Sequence, residues 1–398
     1  MTVLTEQERP VGLERATFLA FMAFIATLQV SIAAAQVFLA IAAVLWLVLV
    51  ARKHERIEVP RMFWPLAAYA AWTIVAAILA VDRSVSLADT KQLVLFAIVP
   101  MAYRLLAGNR SLLAVDIIIS VGALEAIFGI FQYAILNFDN LGRRVQGSLT
   151  HYMTYSGVLM LVACAAAARI MFRRQDRTWA ALVMPALLVA LALTMTRNAW
   201  VGACVGIGLL FLLRDFRLVA ILPVAAALFL AFAPAHLTER LYSTFSLNDP
   251  TNRDRVAMLR SGVRIIQDHP FTGVGPDGVR LVYAHYRDPA AERQLNPHLH
   301  NVPLHIAAER GLPALAIWLY FIGMLIRDLA RKTRSSSLRS LPTAALAAVV
   351  AMLAAGMFEY NFGDSEFLML FLLLVTLPYA ADRVPASTAP AVSQRLAA

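Results

Sequence analysis

ATFLAFMAFIATLQVSIAAAQVFLAIAAVLWLVLVA, residues 16–51, carries not one charged side chain. The segment before it holds Glu6, Glu8 and Glu14 against Arg9 and Arg15. A cleaved signal sequence has a basic leader and an apolar run of only about 7–15 residues. The stretch is too long for that and predicts two retained membrane helices, roughly 16–33 and 36–51. Further apolar runs follow near 62–80, 92–107, 112–136, 153–172, 179–195, 199–213 and 218–234, then near 303–326, 341–359 and 365–381. That makes twelve candidate spans. About 20 residues are needed to cross a bilayer, so 92–107 and 199–213 are the shortest fits.

Composition agrees. The 398 residues are 60% hydrophobic and 15% charged. Soluble domains are about 45–50% apolar and about 25% charged. Twelve spans of ~20 residues need about 240 residues, the same share of the chain. An ordinary soluble enzyme and a disordered chain are both excluded. Two cysteines exclude a disulfide scaffold, and Cys164 and Cys204, both inside apolar runs, read as small buried thiols. The net charge of +10 reads as a membrane protein's basic cytoplasmic loops rather than as a nucleic-acid footprint.

The loops support this. With the N-terminus inside, the even-numbered loops hold Arg52, Lys53 and Arg56; Arg110; Arg173, Arg174 and Arg177; Arg214 and Arg217; and Arg327, Arg331, Lys332, Arg334 and Arg339. Every one is basic, as cytoplasmic loops should be. The expected fold is an all-α polytopic membrane protein of about 12 transmembrane helices, both termini inside. One large helical periplasmic loop joins spans nine and ten. The expected organisation is spans one to nine over 1–234, the loop over 235–302, spans ten to twelve over 303–381 and a short cytoplasmic tail over 382–398.

The outer side holds the chemically interesting residues. The long loop carries a helical pattern over Arg255–Asp268 (Val256, Leu259, Val263, Ile266) that stops at Pro270. Gly273, Gly275, Pro276 and Gly278 mark a turn, and Val279–Tyr286 reads as a second short helix. Three outer arginines depart from the positive-inside pattern: Arg143 and Arg144 between spans five and six, and Arg197 in T-M-T-R-N-A-W between spans seven and eight. A cation that close to the bilayer needs an anion or a carboxylate. Arginine's planar fork suits a diphosphate or a lipid headgroup. In N296-P-H-L-H-N301, His300 is a candidate general base at the membrane boundary. His298 and His300 have no third ligand spaced with them, so a zinc site is not expected. Glu125 lies mid-span, where a carboxylate reads as a buried partner or a proton relay. His305 and Glu309 stand one turn apart on one helix face.

These outer segments resemble the O-antigen ligase superfamily. His300-Asn301, nine residues and then Gly311 resembles the ligases' signature, with Ala314 where the family usually has Gly, Thr or Tyr. Arg255 through Asp268-His-Pro and Gly273-Val-Gly275 resembles the outer-loop pattern. T-M-T-R197 and R143-R-V-Q-G147 resemble two further arginine motifs of the family. The resemblance implies transfer of a glycan from undecaprenyl diphosphate to a sugar hydroxyl of lipid A–core, on the periplasmic face of the bacterial inner membrane. It implies no metal, no ATP and no other cofactor. The partners implied are the donor lipid, the lipid A–core acceptor and membrane lipids, with no nucleic acid. His300 would be the base. Arg197, Arg255, Arg143 and Arg144 would hold the diphosphate. His298, Asn301, Arg264, Glu309 and Gly311 would be secondary. An O-antigen polymerase and a protein O-oligosaccharyltransferase share the motifs, though a single large loop and a short 137–152 loop favour the ligase. A twelve-span secondary transporter is the rival from another class, for which no matching halves are visible.

Overall fold

The computed structural model describes residues 8–383 apart from 176, 244, 245 and 247. Most of the expected tail, from Val384 on, lies outside the described residues. The described chain is almost wholly helical: α1 Glu8–Thr27, α2 Ile32–Lys53, α3 Phe63–Ile78, α4 Arg83–Asp89, α5 Ile98–Leu105, α6 Arg110–Ala134, α7 Tyr152–Phe172, α8 Arg177–Leu193, α9 Arg197–Arg214, α10 Ile221–Phe232, α11 Ala235–Tyr242, α12 Pro250–Asp268, α13 Val279–Tyr286, α14 Val302–Ser335, α15 Ser340–Gly356 and α16 Ser365–Ala381. A two-residue ribbon pairs β1 (Asp139–Asn140) with β2 (Arg143–Arg144).

Among the described residues, six helical runs are long and apolar enough to cross a membrane: α2, Arg83–Leu105, α6, α7, α9 and α14. Shorter apolar helices lie at α3, α8, Phe216–Phe232, α15 and α16. The helices therefore follow the expected apolar runs. The run expected at 92–107 starts earlier, because Asp82 accepts the backbone N–H groups of Ser84 and Val85 and nucleates α4 at Arg83.

Burial distinguishes core helices from peripheral ones. α7 and α16 are apolar all round and buried almost throughout, and α15 packs against α7, α9, α14 and α16. Peripheral helices bury one face only. In α2, Leu39, Ala42, Trp46 and Leu49 face inward, while Val37, Val44 and Leu47 are exposed. In α6, Leu124, Ile127 and Phe131 are exposed. Large apolar side chains in continuous outward bands suit hydrocarbon rather than water. Cys164 is buried as expected, but Cys204 is exposed, because α9 presents one flank outward.

The two ends of the bundle differ. At one end Lys53 pairs with Glu14, Arg104 with Glu55, Arg383 with Glu58 and Lys332 with Asp382. These are contacts between loops that the charge pattern assigns to one side. At the other end sits the 235–302 segment. It folds as expected into α12 and α13, with α12 extended back to Pro250 by the Asp249 cap.

The span expected at 303–326 is not one continuous helix. Gly311 breaks α14 with φ 80° and ψ 171°. Pro313 has no N–H for the Glu309 carbonyl, and the Leu312 N–H leaves the ladder to donate to the Pro270 carbonyl (2.8 Å). The freed carbonyls of Ala308 and Glu309 accept from Val274 (2.9 Å) and Gly275 (2.8 Å), and that of Arg310 accepts from the Trp72 indole (3.0 Å). These three carbonyls and the Leu312 N–H thereby keep partners, as burial demands. The break locks the 235–302 segment onto the bundle.

Candidate active site

A cavity of about 380 Å³ opens at the loop-bearing end. It is lined from four directions: Arg144 of β2 with Tyr152 at the start of α7, Thr196–Asn198 at the start of α9, Arg240 and Arg255 from α11 and α12, and His298 and His300 just before α14. Each residue is placed by local structure. Gln132 grips the segment before α7, donating to the Gly147 carbonyl (2.6 Å) and accepting from the Gly147 N–H (2.9 Å). Glu125 accepts from both the backbone and the hydroxyl of Ser148 (2.9 and 2.7 Å), so this mid-span carboxylate anchors the loop. Arg144 lies over the Tyr152 ring, 4.3 Å from its centroid. Arg143 points elsewhere, over Phe138, and does not reach the cavity.

Arg197 opens α9 and is 5% exposed. It donates to Asp249 (3.1 Å) and to the Ser243 hydroxyl (3.0 Å), and Asp249 also lies 3.9 Å from Arg240. One carboxylate thus serves two guanidinium groups. Burial and then these arginines act on Asp249, and the arginines prevail, holding its carboxyl below the ordinary range. Burial, with the charges of Arg197 and Arg144, pushes Arg240 down to about 10. Burial likewise lowers Arg144 and Arg255. The Nε of Arg255 is buried with no hydrogen-bond partner among the described residues. The cavity holds more cationic charge than its own carboxylates neutralise, which is an anion site in electrostatic terms.

The histidines form the opposite wall. His300 Nδ1 lies 2.8 Å from Glu359 Oε2, and His298 Nε2 lies 3.1 Å from Glu359 Oε1. The two rings are 4.4 Å apart. α15 ends at Gly356, so Glu359 stands in the connection to α16, beyond the end of the helix and not inside a span reaching 359. Burial works to raise its carboxyl, but the facing imidazoles outweigh it and hold Glu359 well below the ordinary carboxylate range. A carboxylate only accepts, so His300 Nδ1 carries the proton. Its Nε2 lone pair is then left for other work. His300 itself has φ +47°, an uncommon conformation for a side-chain-bearing residue. The next residue, Asn301, caps α14 through Leu304 N–H (2.9 Å) and donates to the Met357 carbonyl (3.1 Å). His298, His300 and Glu359 offer donor atoms within 4.8 Å of one another and could together hold a divalent cation. The third donor, absent from the local spacing, is supplied by the fold.

Other expected residues lie behind the cavity or off it. Glu309 is buried between His305 (3.3 Å) and Arg310 (2.8 Å), and Arg310 extends the chain to Tyr360 and Asp89. This polar spine supports the histidine segment from below. Arg264 pairs with Asp288 (3.3 Å) on the outer surface. Gly311 forms the helix break. Among the outer histidines, His151 joins the cavity, whereas His236 bonds to Tyr133 and His269 and His285 lie against Tyr286.

Arg240, Asn198 and Glu359 are functional residues of the site that local sequence does not mark. Arg240 was one arginine among many in the loop. Asn198 stood inside the quoted arginine motif. Glu359 carried a signal, a carboxylate closing an apolar run beside a loop without Lys or Arg, but no partner was visible along the chain.

No curated protein matches the chain. Residues 181–319 match a family model described as O-antigen ligase. The matched region carries Arg197, Arg240, Arg255, His298, His300 and Gly311, while Arg144, which lines the cavity, and Glu359, which faces its histidines, lie outside it. Over that region, about a third of its length, the chain is similar to the O-antigen ligase family.

Proposed function

We propose that this protein transfers a glycan from undecaprenyl diphosphate to a sugar hydroxyl of lipid A–core at the periplasmic face of the inner membrane. Its family supports an O-antigen ligase- or polymerase-type glycosyltransferase acting on a lipid-linked glycan. The observation that carries the finer reading is the pairing of an arginine-rich cavity with a carboxylate-backed histidine on its wall. Arg144, Arg197, Arg240 and Arg255 receive the diphosphate. The acceptor hydroxyl gives its proton to His300 Nε2 as its oxygen bonds to the anomeric carbon. The bond from that carbon to the diphosphate breaks, and the leaving group's charge builds against the arginines. Glu359 holds the His300 tautomer and faces the imidazolium that forms. The donor bond is already activated, so positioning and charge stabilisation suffice, without ATP.

The test is transfer by purified protein supplied with the donor lipid and lipid A–core, with chelator and without ATP. Product from wild type, and none from His300→Ala or Arg197→Ala, supports the reading. Longer glycans on the donor lipid instead would make the protein a polymerase. Near-normal transfer by His300→Ala would remove His300 as base. The His298–His300–Glu359 set favours one second reading, a bound divalent cation in place of a free base. Loss of transfer on chelation and its return with zinc would establish that reading.

A further inference from the structure

Beside the arginine cavity lies a second one of about 190 Å³. The two share His151, Met153, Asn198 and His298. Their chemistry differs sharply. Among the described residues no arginine or lysine lines the second cavity. Its wall presents Thr154, Asn198, Glu359, Tyr360, Asn361 and Asp364 above an apolar floor that includes Phe367.

Two of these amides have unused hydrogen-bonding capacity. Asn198 is 7% exposed and its side chain has no hydrogen bond to any described residue. Asn361 donates to the Met352 carbonyl, but its Oδ1 is buried and accepts from no described residue. Asp364 caps α16 through Phe367 N–H with one oxygen and accepts the Thr154 hydroxyl with the other. A buried amide left unmatched is costly, so such groups indicate a ligand that supplies donors and acceptors. Carboxylates and amides with no cation disfavour an anion and match a polyol.

We infer that this second cavity is the acceptor subsite and takes one neutral, hydroxyl-rich sugar residue. The inference deepens the transfer reading and rests on it. Its volume is below the ~300–1,000 Å³ of pockets for drug-sized ligands, which suits a single ring and not an oligosaccharide. A sugar seated there would present a hydroxyl across the His298 boundary toward His300, with the diphosphate on the far side among the arginines. The division keeps the two lipids apart. Phosphate is attracted to one cavity and repelled by the carboxylates of the other.

Two readouts on the full chain test this. In steady-state transfer, Asn198→Ala and Thr154→Val should each raise the acceptor KM about tenfold, and Thr154→Val, whose residue lines the second cavity alone, should leave the donor KM within about twofold. Arg255→Ala should do the reverse. Independently of turnover, oligosaccharide released from lipid A–core should give saturation-transfer NMR signals with wild type and Arg255→Ala, and weakened signals with Asn198→Ala and Thr154→Val. Absence of signal with wild type, or an unchanged signal and acceptor KM in both amide- and hydroxyl-site variants, would overturn the subsite. Oligosaccharide binding that depends on Asn198, without any transfer to lipid A–core, would overturn the transfer reading and leave the subsite standing.

Discussion

His300 and Glu359 stand 59 residues apart in the chain and 2.8 Å apart in the fold. The carboxylate also faces His298, so its two oxygens serve two imidazoles. Glutamine cannot replace it in this role. An amide offers an oxygen to one ring and an N–H to the other, which forces one imidazole into the opposite tautomer. Glu359→Gln should lower kcat by about 10–100-fold with little change in the donor KM, a loss smaller than the ~10²–10⁴ expected for removing the base itself. Steady-state transfer kinetics with both lipids varied would measure the split.

Acid should weaken this part of the fold. The Glu359 carboxyl sits below the ordinary carboxylate pKa of about 4.3. Its contribution is therefore complete above that value and is lost as pH falls through the lower, folded-state value. Thermal unfolding in detergent should show wild type losing stability below about pH 4.3. Glu359→Gln, less stable at neutral pH, should show a shallower decline, and parallel curves for the two proteins would count against the pair.

The arginines should separate by their partners. Arg197 holds Asp249, whereas Arg255 Nε has no partner among the described residues. Both alanine variants should weaken donor use by about 10–100-fold in kcat/KM. Arg197→Ala should also lower the unfolding temperature, since it removes the nearer of the two guanidinium partners of Asp249. Arg255→Ala should leave that temperature unchanged or raise it, because it relieves crowding of like charges.

Neighbouring positions 143 and 144 provide an internal control. Arg144 lines the cavity over Tyr152, and Arg143 lies over Phe138 outside it. Arg144→Ala should cut transfer about tenfold or more, and Arg143→Ala should stay within about twofold of wild type. Equal losses in the same assay would show that the motif acts as a unit.

Gly311→Ala should be among the most damaging small substitutions. A Cβ there would lie 2.0 Å from the Phe271 carbonyl oxygen, on a backbone with φ +80°. Both the contact and the conformation exclude a side chain. A loss on the order of 4 kcal/mol or more is expected, read as collapse of the folded yield in detergent chromatography.

Periodicity, apolar run length and loop charge are properties of neighbouring residues. The helices near their expected places, the α12 and α13 segments and the candidate His300, Arg197 and Arg255 were legible for that reason. The motif spacing also marked Gly311, though not why it is glycine. That reason is a contact with Phe271, and it required the outer loop and α14 in place together. The same holds for the division between Arg143 and Arg144, which depends on how β2 turns its two side chains. Glu359 depends on the pairing of the α15–α16 connection with the residues before α14. Asn198 and Arg240 became part of the site only once α9 and α11 faced the same space. Sequence determined which segments are helical and which loop residues are candidates for chemistry, because those follow from local hydrophobicity, spacing and charge. Tertiary structure decided which of them meet, because burial, hydrogen-bond pairing and cavity shape arise only between segments far apart in the chain.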